Sequence, residues 1–389
     1  MTPEVLELTN SLTPTAASDG AKCRWKLLFL LPYPLHTVPG QRLKFEQYFT
    51  QFEKAGFEVT VRCFFDRGFY KILYERGRYV KKTLLTIRSY FRRWRHIREA
   101  KSYDAVYVHL WVAPFEPPIY EYLLKRTGVR LIYDIDDLIF LRQVSPANRV
   151  VRFLKGRKNV PYLLAVSDHV IVCTDYLKQY ALRFNRHVTN IPSTIDTALY
   201  PPPDSGSTTR GKKLCIGWSG SHSTVVYLAL LKEVFEELKK RYEFTLKVIG
   251  HPKPPLGGLE VAAQEWRLET EVRDLQEIDI GVYPLPHDEW VLGKSGLKAL
   301  QYMSLGIPTV ATSIGATLEI IADGHNGFLA GSREEWIEKL SRLIVDAELR
   351  RRMGANARKT VEERYSLNVN AKQYLGILKS VCNGTGRSS

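Results

Sequence analysis

The sequence predicts an α/β protein made of two doubly wound, Rossmann-like domains in series, facing each other across a cleft. Three observations lead there. The 389 residues exceed what one ordinary hydrophobic core organises. Short apolar runs alternate with helical stretches in both halves, the pattern of parallel sheets with right-handed crossovers. Composition breaks at residues 200–213, "YPPPDSGSTTRGKK", where prolines and a Gly/Ser/Thr run mark an exposed linker.

In the front half, "KLLFLLP" from Lys26 is a continuous apolar run, as in a strand buried on both faces. Residues 41–54 read as a helix, and "GFEVTVRCFF" from Gly56 as the next strand. A long basic segment follows. Then come the strand "AVYVHLW" from Ala105, a helix over 117–126, the strand "VRLIYDID" from Val129, a helix before Val166, and the strand "HVIVCT" from His169. After the linker, "LCIGWSGS" is a strand ending in a turn, with a helix over 224–241. "FTLKVIG", "LEVAAQEW" and "DIGVYPLP" supply further strands, followed by "IPTVAT" and "GFLA". Helices are predicted over 333–343, 349–364 and 367–381. The Thr/Ser-rich residues 1–21 read as a loose tail.

Apolar content of 44% and charged content of 25% are those of a folded soluble protein, and no run approaches a bilayer span. The five cysteines form no Cys-x-x-Cys pair and no metal-ligand spacing, which predicts a reducing, cytoplasmic setting. The net charge is +15. Residues 67–101 hold twelve Lys/Arg against Glu75 and Glu99, so +10 of it is local. That segment predicts a helix with an apolar stripe of Val80, Leu84, Ile87, Phe91 and Trp94, and basic residues on its other faces. It reads either as a solvated helix packed by its stripe or as a basic element lying on anionic lipid. A nucleic-acid partner is not expected, because the aromatics sit on the apolar stripe.

Ligands of such sheets bind beyond the carboxyl ends of the strands, and three turns fall there. In "PYPLHTVPGQR", Gly40 permits close backbone approach and Arg42 opens a helix. In "GWSGSHST", Gly220 permits a tight turn, while Ser221, Ser223 and Thr224 supply hydroxyls or a helix cap. In "GKSG", residues 293–296, backbone N–H groups and Lys294 gather at a helix start, suited to an anion such as a diphosphate. Lys298, at the same helix start, reads either as a second anion-binding lysine or as a solvated helix lysine, with Lys294 the stronger candidate. Each turn also has a purely structural reading. "YDIDDLIF" puts Asp134, Asp136 and Asp137 at a strand end, where a carboxylate can hold a cation, receive a substrate hydroxyl or cap a helix. His109 ends its strand facing the cleft and reads most simply as a hydrogen-bonded structural histidine.

Taken together, "IGWSGSHST", "DIGVYPLP", "GKSGLKALQYMSLGIPTVATSIG" and "DGHNGFLA", in this order and spacing, resemble the retaining glycosyltransferases of family 4, which have the GT-B fold. The resemblance spans about residues 26–378. It implies an N-terminal acceptor domain (22–205), a C-terminal nucleotide-sugar domain (206–366), and a final segment (367–389) whose helix crosses back to the first domain. Gly40 would lie against the donor diphosphate. The family's paired motif glutamates fall on Gly293 and Gln301; Gln301 retains the ability to bond ribose hydroxyls. Members also carry Arg and Lys after the first C-terminal-domain strand. "WSGSHST" has neither, so Lys294 is expected to supply the charge. Gly220, Ser221, Gly296 and Leu297 complete the expected donor site. Asp136 or Asp137 is expected at the acceptor, with Arg42 and His109 lining the cleft. No metal or cofactor is expected beyond the nucleotide-diphosphate sugar itself.

The implied activity is sugar transfer, with retention, to a glycan or lipid-linked acceptor. The expected setting is cytoplasmic, with peripheral attachment to an anionic membrane through residues 67–101. A GT-B sugar-nucleotide epimerase and a non-catalytic sugar-nucleotide-binding protein are the alternatives.

Overall fold

The computed structural model describes residues 24–73, 75, 77–140, 158–203, 213–221 and 223–384. The predicted N-terminal tail and most of the linker lie outside the described residues. The linker's first residue, Tyr200, is buried rather than exposed.

The first sheet contains β1 (Trp25–Leu31), β2 (Phe57–Cys63), β3 (Ala105–His109), β4 (Arg130–Ile135), β5 (His169–Val172) and β6 (Val188–Asn190). All pairings are parallel, in the order β2-β1-β3-β4-β5-β6. The second contains β7 (Cys215–Ser219), β8 (Thr245–Ile249), β9 (Ala262–Gln264), β10 (Ile280–Tyr283), β11 (Thr309–Thr312) and β12 (Phe328–Ala330). It too is parallel, in the order β12-β11-β10-β7-β8-β9. The continuous apolar runs are explained by burial on both faces: in β1 only Lys26 is exposed. The strand order reverses between β1 and β3 in one sheet and between β7 and β10 in the other. Those two reversals are where such sheets open crevices for ligands.

Two predicted helices are broken. Residues 41–54 form α1 (Pro39–Lys44), a 3-10 turn (Glu46–Tyr48) and α2 (Phe49–Lys54). The break at Phe45 lets Lys44 and Phe45 both point inward, with Lys44 donating to the Val172 and Ile191 carbonyls. Residues 225–231 are 3-10 helix, and the α-helix begins at Lys232. The buried residues Val225, Leu228 and Leu231 recur every three, which is the 3-10 period.

The basic segment forms α3 (Arg67–Leu73) and α4 (Tyr79–Glu99). The orientation of α4 removes the reading in which its apolar stripe packs on its own domain. Ser89, Arg93, His96 and Ile97 are buried, while Val80, Leu84, Ile87, Phe91 and Trp94 face solvent. The cause lies at the strand ends. Arg93, fully buried, donates to the carbonyls of Leu31 and Arg62, and Arg92 donates to the Phe64 carbonyl and Asp66. Buried carbonyls need donors, and this face of the helix supplies them.

The last helix, Leu367–Asn383, packs on the first sheet, as the GT-B reading required. Leu367, Tyr374, Ile377, Leu378 and Val381 share a core with Trp25, Leu27, Phe29 and Tyr107. Tyr374 donates to the Lys44 carbonyl, and Arg130 to that of Val381. No helix of the described residues is long and apolar enough to cross a membrane.

Candidate active site between two sheet ends

At the first reversal, β3 ends on His109 and the adjacent β4 runs into Asp136 and Asp137. His109 Nδ1 lies 3.4 Å from Asp134, and its Nε2 lies 3.9 Å from Asp136. Asp134 also receives the Tyr107 hydroxyl at 2.6 Å and has the Lys44 ammonium 3.7 Å away. Burial works against ionising Asp134, but Lys44, His109 and Tyr107 hold its pKa below the ordinary value. Burial also opposes charging His109, yet Asp136 and Asp134 raise its pKa. His109 is therefore a buried, carboxylate-oriented imidazole turned toward Asp136. Gly40 stands beside it: a Cβ there would lie 3.5 Å from the Asp136 carboxylate.

Asp137 reaches the other lobe, 3.9 Å from the Lys294 ammonium. Burial raises its carboxyl pKa to about 6, against the opposing pull of Lys294. Next to it, Leu138 packs on Gly293. A Cβ at 293 would come 2.5 Å from the Leu138 side chain and 3.0 Å from its backbone nitrogen. The "DIDDL" segment thus fills the space that a longer residue at 293 would occupy. Between the lobes, the Cys173 thiol faces the carbonyls of Asp136 and Gly293.

At the second reversal, Lys298 lies over the ends of β7 and β10. Its ammonium is 4.8 Å from the Trp218 ring and 5.5 Å from the Tyr283 ring, and it donates to the Thr224 hydroxyl at 3.0 Å. Burial, then the charge of Lys294, lowers its pKa to about 7. Of the two readings of Lys298, a solvated helix lysine or a second lysine at the anion-binding turn, burial removes the first; the helix Leu297–Ser304 starts after Gly296, which has a positive φ of 69°. Gly220 fits under this lysine, since a Cβ there would meet Trp218 and Lys298. Ser221 is exposed and bonds within its own turn, to Ser223 and Thr224. Leu297 is partly buried against the second core. Lys294, Gly296, Lys298, Gly220 and Ser221 thus belong to one neighbourhood.

Arg42 and Gln301 lie elsewhere, around a residue the sequence did not flag. Glu271, almost fully buried, accepts from Arg42, the Tyr200 hydroxyl, Trp266 and Gln301. Arg42 belongs to the first lobe and Glu271 to the second. No sequence signal set Glu271 apart from Glu269 in "RLETEVRD". Among the described residues no group of three His, Cys, Asp or Glu side chains is arranged to hold a metal.

The arrangement can hold an anion beneath Lys298 and Lys294, and present carboxylates and an imidazole from the opposite lobe. The family model described as glycosyl transferases group 1 matches residues 214–346, the second lobe. An uncharacterized glycosyltransferase of Methanocaldococcus jannaschii is 36% identical over 252 residues, covering 57% of this chain and 69% of that protein. An N-acetyl-alpha-D-glucosaminyl L-malate synthase of Bacillus anthracis is 33% identical over 254 residues, covering 61% of this chain and 64% of that protein, while two others match over short stretches. The chain spans 21% of the length of a trehalose synthase of Pyrococcus horikoshii and 11% of that of a sucrose synthase of Melioribacter roseus. Among solved structures, sucrose-phosphate synthase from Thermosynechococcus elongatus superposes with a TM-score of 0.68 at 14% identity, over 93% of this chain and 100% of that one. Two parallel six-stranded sheets, a last helix that returns to the first, and these similarities together establish that the chain belongs to the group 1 glycosyltransferases with the GT-B fold.

Proposed function

We propose that this protein transfers a sugar from a nucleotide-diphosphate sugar to a glycan or lipid-linked acceptor, with retention of anomeric configuration. The observation that carries the reading is the pair of lysines, Lys294 and Lys298, at the crevice between β7 and β10. Lys298 has no carboxylate partner among the described residues. In this reading both lysines and the Gly220 and Gly296 turns bind the diphosphate and stabilise the charge that develops as it departs. Asp136 and Asp137 contact the acceptor hydroxyl, with His109 holding Asp136 in place. A structural relative from Anabaena, HepE, has been solved in complex with UDP-glucose, at a TM-score of 0.66 and 16% identity, over 92% of this chain and 100% of that one. That supports a sugar nucleotide as donor. We place the reaction in the cytoplasm, with residues 67–101 meeting an anionic membrane.

A thermal-shift screen of UDP-, GDP- and ADP-sugars tests the donor assignment, because a ligand that binds the folded state raises its melting temperature. Stabilisation by one sugar nucleotide, followed by NMR of the product's anomeric proton, is the expected course. No stabilisation by any of them would overturn the reading, and an inverted product would overturn retention.

A further inference from the structure

The exposed face of α4 is not accounted for by the fold or the site. Tyr79 is 77% exposed, Val80 76%, Leu84 62%, Ile87 49%, Phe91 66% and Trp94 44%. From Val80 the spacings alternate between four and three, so these side chains form one ridge about 21 Å long at 1.5 Å per residue. The ridge is diametrically opposite the buried Ser89, Arg93 and His96, of which Arg93 binds α4 to the strand ends. Rotating the helix to bury the ridge would break both bonds of the buried Arg93, to the Leu31 and Arg62 carbonyls, so the exposure is fixed by the fold. Along one edge, at intervals of seven residues, run Lys81, Arg88 and Arg95, all exposed and without an ion-pair partner among the described residues. Arg98 lies over the Trp94 ring, 4.7 Å from its centroid. The neighbouring α5 (Ile119–Arg126), joined to α4 through Tyr90 and Tyr120, also exposes Ile119 and Tyr122.

We propose that α4 is an interfacial docking helix, inserting its Val80–Leu84–Ile87–Phe91–Trp94 ridge among the acyl chains of an anionic bilayer while Lys81, Arg88 and Arg95 engage the headgroups. This deepens, and rests on, the reading that residues 67–101 meet a membrane, and it replaces a purely electrostatic contact with one that has an apolar part. A helix with one apolar ridge and a cationic edge lies in the plane of the interface with its ridge a few ångströms deep. Charge complementarity selects the occupant. A second copy of this face would bring three more unpaired cations against these three, whereas anionic headgroups neutralise them. Aliphatic Val80, Leu84 and Ile87 give a nucleic acid nothing to bind.

The test is co-sedimentation of the full chain with vesicles of phosphatidylcholine and phosphatidylglycerol in equal parts, against phosphatidylcholine alone, at low and high salt. The parent is expected to bind the anionic vesicles and to keep a measurable fraction of that binding in 0.5 M salt, where electrostatics is screened. Leu84→Ser with Phe91→Ser should cut binding at least tenfold at unchanged melting temperature, since both side chains are exposed. Trp94→Phe should keep binding but lose most of the fluorescence quenching caused by brominated acyl chains. The proposal is overturned if the parent ignores anionic vesicles or if the double variant binds as the parent does. It is also overturned if lipid-free parent is a dimer that this variant dissolves, or if Trp94→Phe leaves the quenching intact. Donor binding, measured without lipid by thermal shift with the same UDP-, GDP- and ADP-sugars, should be the same in every variant. Its failure in the parent would strike the donor assignment and leave the vesicle result standing.

Discussion

The ammonium of Lys294 and the carboxylate of Asp137 stand 3.9 Å apart, one contributed by each lobe. An incoming diphosphate competes with Asp137 for that cation. In the proposed reaction, donor binding therefore releases Asp137 as it captures Lys294, coupling the filling of one subsite to the freeing of a carboxylate in the other.

Lys298→Met and Lys294→Ala should each weaken binding of the sugar nucleotide that stabilises the parent by about 1.5–3 kcal/mol, the usual worth of a hydrogen bond to a charged group. Isothermal titration measures this directly. A lysine whose removal leaves affinity unchanged has no place in the donor site. Lys298→Met keeps the apolar stem over Trp218, so the comparison isolates the charge.

Asp136→Asn and Asp137→Asn should lower turnover while donor affinity stays within a few-fold of the parent. With the Asp137 carboxyl raised to about 6, kcat/KM should climb as pH rises through that value and Asp137 ionises. The Asp137→Asn variant should lack that limb. A profile of the same shape in both proteins would remove Asp137 from the chemistry.

Glu121 offers a pH test of stability. It is buried, accepts from the Val112 and Ala113 amides and from Asn159, and its carboxyl is pushed up to about 7 by burial. The folded state then binds this proton more tightly than the unfolded state, whose carboxyl titrates near the ordinary value of about 4.5. Its contribution is fully favourable below about 4.5 and is lost as pH rises through about 7, by on the order of 2–3 kcal/mol. Melting temperature in Glu121→Gln should decline less between pH 5 and 8 than in the parent. Parallel curves would show that another group governs the slope.

Arg42→Ala should destabilise the protein by about 3–5 kcal/mol, because it leaves the Glu271 carboxylate buried without its cation. Adding Glu271→Gln to that variant should restore part of the loss. Calorimetric melting of the two single variants and the double variant closes the cycle, and strictly additive effects would mean the two residues do not interact.

The fold was legible because the inner strands of both sheets, such as β1, β3, β7 and β10, are buried on two faces and leave apolar runs bounded by turns. Residue type was legible where close packing or backbone geometry dictated it, as at Gly220 and Gly296. The site was not legible where the deciding fact was a neighbour distant in sequence. Glu271 gains its importance from Arg42, 229 residues away, and Lys298 from Trp218 across the sheet. The apolar periodicity of α4 is legible in the sequence, but which way the stripe faces is not. Periodicity says that one face is apolar, not which face is buried; that was decided by two strand-end carbonyls and one arginine.

The return of Leu367–Asn383 to the first lobe has a consequence for how the protein is made. The Tyr374 hydroxyl seeks a carbonyl 330 residues earlier, on Lys44. At about 5–20 residues per second, a ribosome needs roughly 20–70 s to travel between them. Throughout that interval the aromatic surface around Trp25, Phe29 and Tyr107 lacks its final cover, while the second lobe can already close on itself. The part of the chain that emerges first is thus the last to be finished, and a nascent chain of this protein should occupy chaperones through its oldest residues rather than its newest.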